Sequence, residues 1–273
     1  RKKQMYHYKK ERGSNIALVS SLYNGYQFDR YHKLLDNVIE NHSSFAEVNK
    51  YAYLLYDDTI NHEVGLYDAH NNINMSDVCL GINKWYVIEH ALKTYDSVFF
   101  VDYDSVFIKN EKFTASSPTM LSPLPGSSYY DSVYFLYYCI YKGISYNDLV
   151  NNTQAEKYNS GCMYISRDMF SKEDVDEFVE FAYKLYIENK LKTKDTWIHM
   201  FDFEYDKIGE ITNTTITPFD ESFLMYLVVS KNIDYTHMPN GVYNVYDIGN
   251  IDADTVHIHY CVDKEKFFEH YYE

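Results

Sequence analysis

The chain has 273 residues, of which 46% are hydrophobic and 18% aromatic, with 31 Tyr and a formal net charge of −15. That length suits one large domain or two small ones around a substantial core. The acidity disfavours nucleic acid and anionic membrane as main partners and suits a divalent cation or a positively charged acceptor.

In chain order, "RKKQMYHYKKERGS" (1–14) is basic and polar and is expected to be a flexible lead-in. "NIALVSS" (15–21) is a short apolar run of strand type. Tyr31, Leu34, Leu35, Val38 and Ile39 then recur at helical spacing. "YAYLLYDD" (51–58) is a second strand, and "NKWYVIEHALKTY" (83–95) puts Trp85, Ile88, Ala91 and Leu92 on one helical face. A third strand occupies 97–101. This alternation predicts a parallel α/β sheet with right-handed crossovers, in which ligands sit beyond the carboxyl ends of the strands.

The second half is less regular. "TMLSPLPG" (119–126) is expected to be a strand leading into a turn, and "YYDSVYFLYYCIYKG" (129–143) is ambiguous between helix and strand. "NSGCMYIS" (159–166) is expected to be a strand entered through a Gly turn. "SKEDVDEFVEFAYKLYIENKL" (171–191) opens with Ser and acidic residues, as helix starts do. "FDESFLMYLVVSK" (219–231) is a further helix, "TVHIHYC" (255–261) a late strand, and "KEKFFEHYYE" (264–273) a closing helix. There is neither an internal repeat nor a Pro/Gly/Ser linker, so 15–273 is expected to be a single domain.

Asp102 and Asp104 end the strongest strand, and apolar residues resume at Val106-Phe107-Ile108. A turn whose carboxylates bond local amides would account for an arbitrary D-x-D. Here the pair sits in a packed position, where like charges are costly unless a cation or donors compensate. Two carboxylates one residue apart can share Mn²⁺ or Mg²⁺, ions that keep positions for substrate phosphates. The same letters, "DYDSV", also match the D-x-D-x-Thr/Val nucleophile motif of haloacid dehalogenase-type phosphatases, with Asp102 as nucleophile. That motif usually opens the first strand of its domain and is followed by a Lys and a Gly-Asp-x-x-x-Asp cluster, which is missing here. Asp252 and Asp254 form a second D-x-D without a preceding apolar strand and read as a polar turn.

"HIHYC" (257–261), with Lys264 and Lys266 behind it, resembles the His-Tyr/Phe-x-Gly-x-x-Lys-Pro-Trp ending of glycosyltransferase family 8, the glycogenin and lipopolysaccharide galactosyltransferase group. Val262 stands in place of the Gly, the Lys residues are displaced by one, and no Pro-Trp follows. "NKWYVIEHALKTYDSVFFVDYDSVFIKN" resembles glycosyltransferase family 34, the galactosyl- and xylosyltransferase group, in its Lys84-Trp85, its Asp-x-Asp and its trailing Asn110. "YNSGCMYIS" resembles the Asn-Ala/Ser-Gly segment that both families place beneath the donor sugar, and "FDESFLMYL" their Asp-Gln-x-x-Leu helix start.

The order of these anchors, from about residue 15 to 266, implies a GT-A type, Rossmann-like mixed sheet flanked by helices. It implies a metal-dependent transferase with a nucleotide-diphosphate sugar donor, UDP-linked in the first instance, and a glycan or glycoprotein acceptor. The metal ligands implied are Asp102, Asp104 and His259, with His257 as substitute, since both His share one parity on a strand. Lys84 and Lys264 would touch the donor diphosphate. Tyr23 and Asn24 would hold the base, and Asn159, Ser160 and Gly161 would shape the sugar pocket, with Gly161 allowing close backbone approach. Asp220 and Glu221 would bind the acceptor hydroxyl or act as base, or simply form the acidic first turn of a helix. Both families retain anomeric configuration; an inverting enzyme would need one of these carboxylates as base. A catalytically inactive, metal-dependent carbohydrate-binding module fits the same residues.

Other features inform less. Cys79, Cys139, Cys162 and Cys261 are scattered without a C-x-x-C pair, which argues against a zinc ribbon. Sequons at Asn41, Asn74, Asn151 and Asn213 are expected by chance in an Asn-rich chain. No apolar run approaches the ~20 residues of a membrane helix. The chain opens on Arg1 and is expected to be excised from something longer, either a lumenal secretory-pathway domain or a cytoplasmic enzyme. A homo-oligomer stays open.

Overall fold

The computed structural model describes residues 5–22, 34–57, 67–68, 73–74, 82–128, 138–139, 141–145, 156–191, 219–231, 233–245, 248–259 and 270–271. The elements are β1 (Tyr6–Lys10), β2 (Ile16–Ser21), α1 (Leu35–Asn49), β3 (Ala52–Tyr56), β4 (Tyr67–Asp68), β5 (Ile73–Asn74), α2 (Asn83–Leu92), β6 (Ser97–Val101), β7 (Val106–Phe107), β8 (Met120–Ser128), β9 (Glu156–Ser166), α3 (Lys172–Leu191), α4 (Phe219–Lys231), β10 (Thr236–His237) and β11 (His257–Ile258), with a short 3-10 turn at Ile248–Asn250.

Seven strands form one mixed sheet in the order β1-β3-β2-β6-β9-β8-β10. β3, β2 and β6 run parallel, whereas β9 runs antiparallel to both β6 and β8. Strand parity divides the core in two. Ala17, Val19, Leu54, Val98 and Phe100 face one side, against α2, α3 and α4. Leu18, Tyr53, Leu55, Phe99 and Val101 face the other, against α1 and the β7–β11 ribbon. Strands buried on both faces need continuous apolar runs, and the sequence supplies them at 16–19, 52–56 and 98–101. The expected mixed sheet flanked by helices is thus the architecture formed.

Four expectations are corrected in detail. Residues 6–10 do not belong to a flexible lead-in; they form the edge strand β1, antiparallel to β3. A bulge between Tyr6 and Tyr8 sends the two rings to opposite faces, onto Tyr56 and Tyr53 respectively. Asn159-Ser160-Gly161 is not a turn before a strand, because β9 already starts at Glu156. Its pairing with β6 stays regular to Val101↔Cys162, but against β8 the register jumps from Leu121↔Met163 to Ser122↔Asn159. Ser160, Gly161 and Cys162 therefore bulge away from β8, which re-aims the Ser160 and Cys162 side chains. β8 itself continues to Ser128, past the Gly126 expected to end it in a turn. The late strand is only two residues long, His257–Ile258, paired with Phe107 and Val106. Of the ambiguous 129–143 stretch, 129–137 and 140 lie outside the described residues, as do 264–269 and 272–273 of the expected closing helix.

Candidate functional site

β6 leaves the sheet at Val101, and the Asp102 amide still bonds the Gly161 carbonyl at 3.0 Å. The chain then turns. Ser105 Oγ donates back to the Asp102 carbonyl at 2.6 Å, and β7 begins at Val106. This turn stands beyond the carboxyl end of β6 and presents both carboxylates inward, Asp102 at 8% and Asp104 at 5% exposure.

His259 follows β11 and meets them. Its Nε2 lies 3.3 Å from Asp102 Oδ2 and 3.6 Å from Asp104 Oδ1. One donor atom from each of Asp102, Asp104 and His259 falls within a 4.8 Å span. Two hard oxygen donors and one imidazole suit Mn²⁺ or Mg²⁺ better than a soft-metal site, which would use thiolates. Cys139 and Cys162 are buried and free, and burial pushes both thiols up from their ordinary range.

A second set of buried charges adjoins the first. The Lys84 ammonium lies 3.0 Å from Asp102 Oδ1 and 2.7 Å from Asp220 Oδ2. It also donates to Ser160 Oγ at 2.9 Å, and the Ser160 hydroxyl in turn donates to Asp220. Trp85 Nε1 donates to the Asp220 carbonyl at 3.0 Å, fixing the start of α4 against α2. Asp220 and Glu221 do form the acidic first turn of α4, but a buried one, at 4% and 6% exposure. Among the described residues, four carboxylates (Asp102, Asp104, Asp220, Glu221) are buried here, and Lys84 pairs with two of them, Asp102 and Asp220. A divalent cation would offset the mutual cost of the buried Asp102 and Asp104 carboxylates that meet His259.

The bulge in β9 supplies the floor. Asn159 Nδ2 donates to Glu221 Oε1 at 2.8 Å. Asn159 Oδ1 accepts from the Gly161 amide at 2.8 Å and from Asn244 Nδ2 at 3.0 Å. Gly161 lies under the His259 ring, and a Cβ there would stand 2.2 Å from Nδ1 and 2.4 Å from Cε1. Gly161→Ala is accordingly expected to push the imidazole aside and weaken Mn²⁺ binding by roughly 10- to 100-fold. A Mn²⁺ titration followed by calorimetry checks this; unchanged affinity would remove His259 from the ligand set.

His257 is also buried, but its ring nitrogens are engaged elsewhere, Nε2 with Ser105 Oγ at 2.9 Å and Nδ1 with the Asn244 amide at 3.3 Å. The shared-parity argument does not apply, because β11 ends at Ile258 and His259 lies beyond it. Burial, with His259 and His42 nearby, holds the His257 imidazole well below its ordinary pKa. His42, on α1, is likewise lowered to about 4 by burial, against the raising effect of its bond to the Ser105 carbonyl.

Tyr23, Asn24 and Lys264 lie outside the described residues. Asp252 and Asp254 form the polar turn expected of them, with Asp252 Oδ1 accepting from the amides of Asp254 and Thr255 at 2.8 and 3.1 Å. Ser105, His42 and Asn244 were not singled out by sequence. His42 reads as one more residue of an amphipathic helix, and Asn244 carries only a positive φ of 59°, which the letter Asn merely permits.

No family model and no curated protein matches the chain. Among solved structures, it is similar over 94% of its length to a glycosyltransferase involved in the glycosylation of the major capsid of PBCV-1, covering 98% of that chain at 12% identity and a TM-score of 0.47. It is similar over 93% of its length to the galactosyltransferase LgtC in complex with donor and acceptor sugar analogs, covering 95% of that chain at 10% identity and a TM-score of 0.41. A third likeness, to the bifunctional glycosyltransferase WbbM in its apo structure, spans 95% of this chain and 50% of that one at 13% identity and a TM-score of 0.46.

Proposed function

We propose that the chain is a metal-dependent glycosyltransferase that moves a sugar from a nucleotide-diphosphate donor, UDP-linked in the first instance, to a glycan or protein-linked acceptor, with retention of configuration. The observation that carries this reading is the meeting of Asp102, Asp104 and His259 at the carboxyl end of β6, from sequence positions far apart. His259 lies in the segment that resembles family 8, and Asp102 and Asp104 in the one that resembles family 34. The third donor also separates this reading from a phosphatase, whose motif implies a further acidic cluster rather than an imidazole.

In this reading Asp102, Asp104 and His259 would hold Mn²⁺ or Mg²⁺, and the bound ion would supply Lewis-acid stabilisation for a leaving nucleoside diphosphate. Lys84 holds Asp102 and Asp220 in place through its ion pairs with both. Asn159, Ser160 and Gly161 form the floor beneath the donor sugar, and Asn159 fixes one oxygen of Glu221 through its amide. Asp220 and Glu221 face the acceptor side; in an inverting variant of the reaction one of them would take the hydroxyl proton.

The deciding assay incubates the protein with Mn²⁺ and a panel of nucleotide-sugars and measures free nucleoside diphosphate with and without chelator. Chelator-sensitive release from one donor is the expected result. Absence of release from every donor, together with absence of donor binding by calorimetry, would reject the reading.

A further inference from the structure

Two buried imidazoles grip the turn that carries Asp102 and Asp104, and Ser105 is where they meet. The Ser105 hydroxyl has one proton, and it goes to the Asp102 carbonyl at 2.6 Å. Ser105 Oγ must therefore accept from His257 Nε2 at 2.9 Å, which makes His257 the Nε2–H tautomer. Its Nδ1 is then the acceptor for the Asn244 amide at 3.3 Å. The same proton accounting applies on the other side. The Ser105 carbonyl can only accept, so His42 Nε2, at 3.1 Å, donates. His42 Nδ1 is left to accept from Ser20 Oγ at 3.3 Å or Tyr53 OH at 3.4 Å. Phe107 lies against both rings, with centroids 4.8 Å from His257 and 5.6 Å from His42. Its backbone N–H and C=O are both bonded by the Asn41 side chain, at 2.9 and 2.8 Å.

His257 also reaches the sugar side. The Asn244 amide it holds belongs to a residue with left-handed backbone, whose side chain then donates to Asn159. One imidazole thus fixes the metal-bearing turn through Ser105 and the Asn159–Glu221 pair through Asn244.

We propose that His257 is a positioning residue for the metal site, acting through Ser105 on Asp102 and not as a ligand. This rests on the metal reading given above. The two halves of the imidazole can be tested apart. His257→Gln places an amide N–H near Nε2 and keeps the Ser105 contact; His257→Asn keeps an acceptor near Nδ1 and loses it. Ser105→Ala removes a single oxygen.

Mn²⁺ dissociation constants are measured by calorimetry on the full chain, alongside melting temperatures without metal. Ser105→Ala and His257→Asn are each expected to weaken Mn²⁺ binding roughly 10-fold. The double variant is expected to be no weaker than either single one, since both cut the same link. His257→Gln is expected to stay within about twofold of wild type. Weakening by His257→Gln and His257→Asn alike, with Ser105→Ala unaffected, would instead make His257 a ligand and overturn the proposal. Lower melting temperatures with unchanged Mn²⁺ affinity would overturn it too, by reducing His257 to a packing residue. A wild-type protein that binds no Mn²⁺ would overturn the metal reading itself, and the proposal with it. If His257→Asn fails to fold, Ser105→Ala and His257→Gln carry the comparison.

Discussion

Asp104→Ala is expected to reduce Mn²⁺-dependent release of nucleoside diphosphate by more than roughly 100-fold, because it removes a charged ligand and not merely a supporting contact. The metal-free protein is expected to melt at the same temperature or slightly higher. Asp104 is buried beside Asp102, with the donor atoms of both within a 4.8 Å span, and losing one of two adjacent carboxylates relieves repulsion when no metal is bound. Asp104→Asn keeps the shape and removes the charge, so it should match the Ala variant in activity if charge is what matters. Donor turnover and thermal unfolding measured on both variants check the pair of expectations. Activity within twofold of wild type would take Asp104 out of the metal set.

The second large effect concerns stability. Lys84 is 2% exposed and is the cation shared by Asp102 and Asp220. Lys84→Met preserves most of the side-chain volume but leaves two buried carboxylates without their partner, which costs about 3–5 kcal/mol. For a chain of this size that corresponds to a fall in melting temperature of roughly 10 °C. A cation bound by Asp102 supplies part of the missing charge, so Mn²⁺ is expected to raise the melting temperature of Lys84→Met by more than it raises that of wild type. A fall of less than about 2 °C would show that the carboxylates are compensated by other means.

Most of the architecture was legible in the sequence because its signals are local. Apolar runs at 16–19, 52–56 and 98–101, separated by helical periodicity, lead to parallel strands joined by helices, and β2, β3 and β6 form that way. The helix of 219–231 was legible too, and α4 spans Phe219–Lys231 among the described residues. What escaped is set by pairing across the chain. The edge strand at Tyr6–Lys10 has no apolar run of its own and exists because β3 offers a free side. The bulge at Ser160–Cys162 follows from β9 keeping register with β6 while losing it with β8, and a single strand's letters do not encode that conflict. At the site, Asp102 and Asp104 stood out because charge after a buried strand is anomalous. Ser105 and His42 did not, because a Ser in a turn and a His on a helix are unremarkable until their partners are known.

β11, which brings His259 to the site, is two residues long and is held by pairing with β7 and by an isolated bridge to Val245. His259 stands 155 positions after Asp104 in the sequence, so closing that loop is among the most entropically demanding contacts in the chain. High contact order makes such contacts slow to form. The parallel strands β2, β3 and β6, the turn after β6 and α2 can assemble earlier from nearer segments. On the proposed metal reading, the Asp102–Asp104–His259 set would be complete only after residues 256–259 have docked, so Mn²⁺ affinity would report on finished folding. A partly folded chain would present the two carboxylates without the imidazole and would hold such an ion weakly.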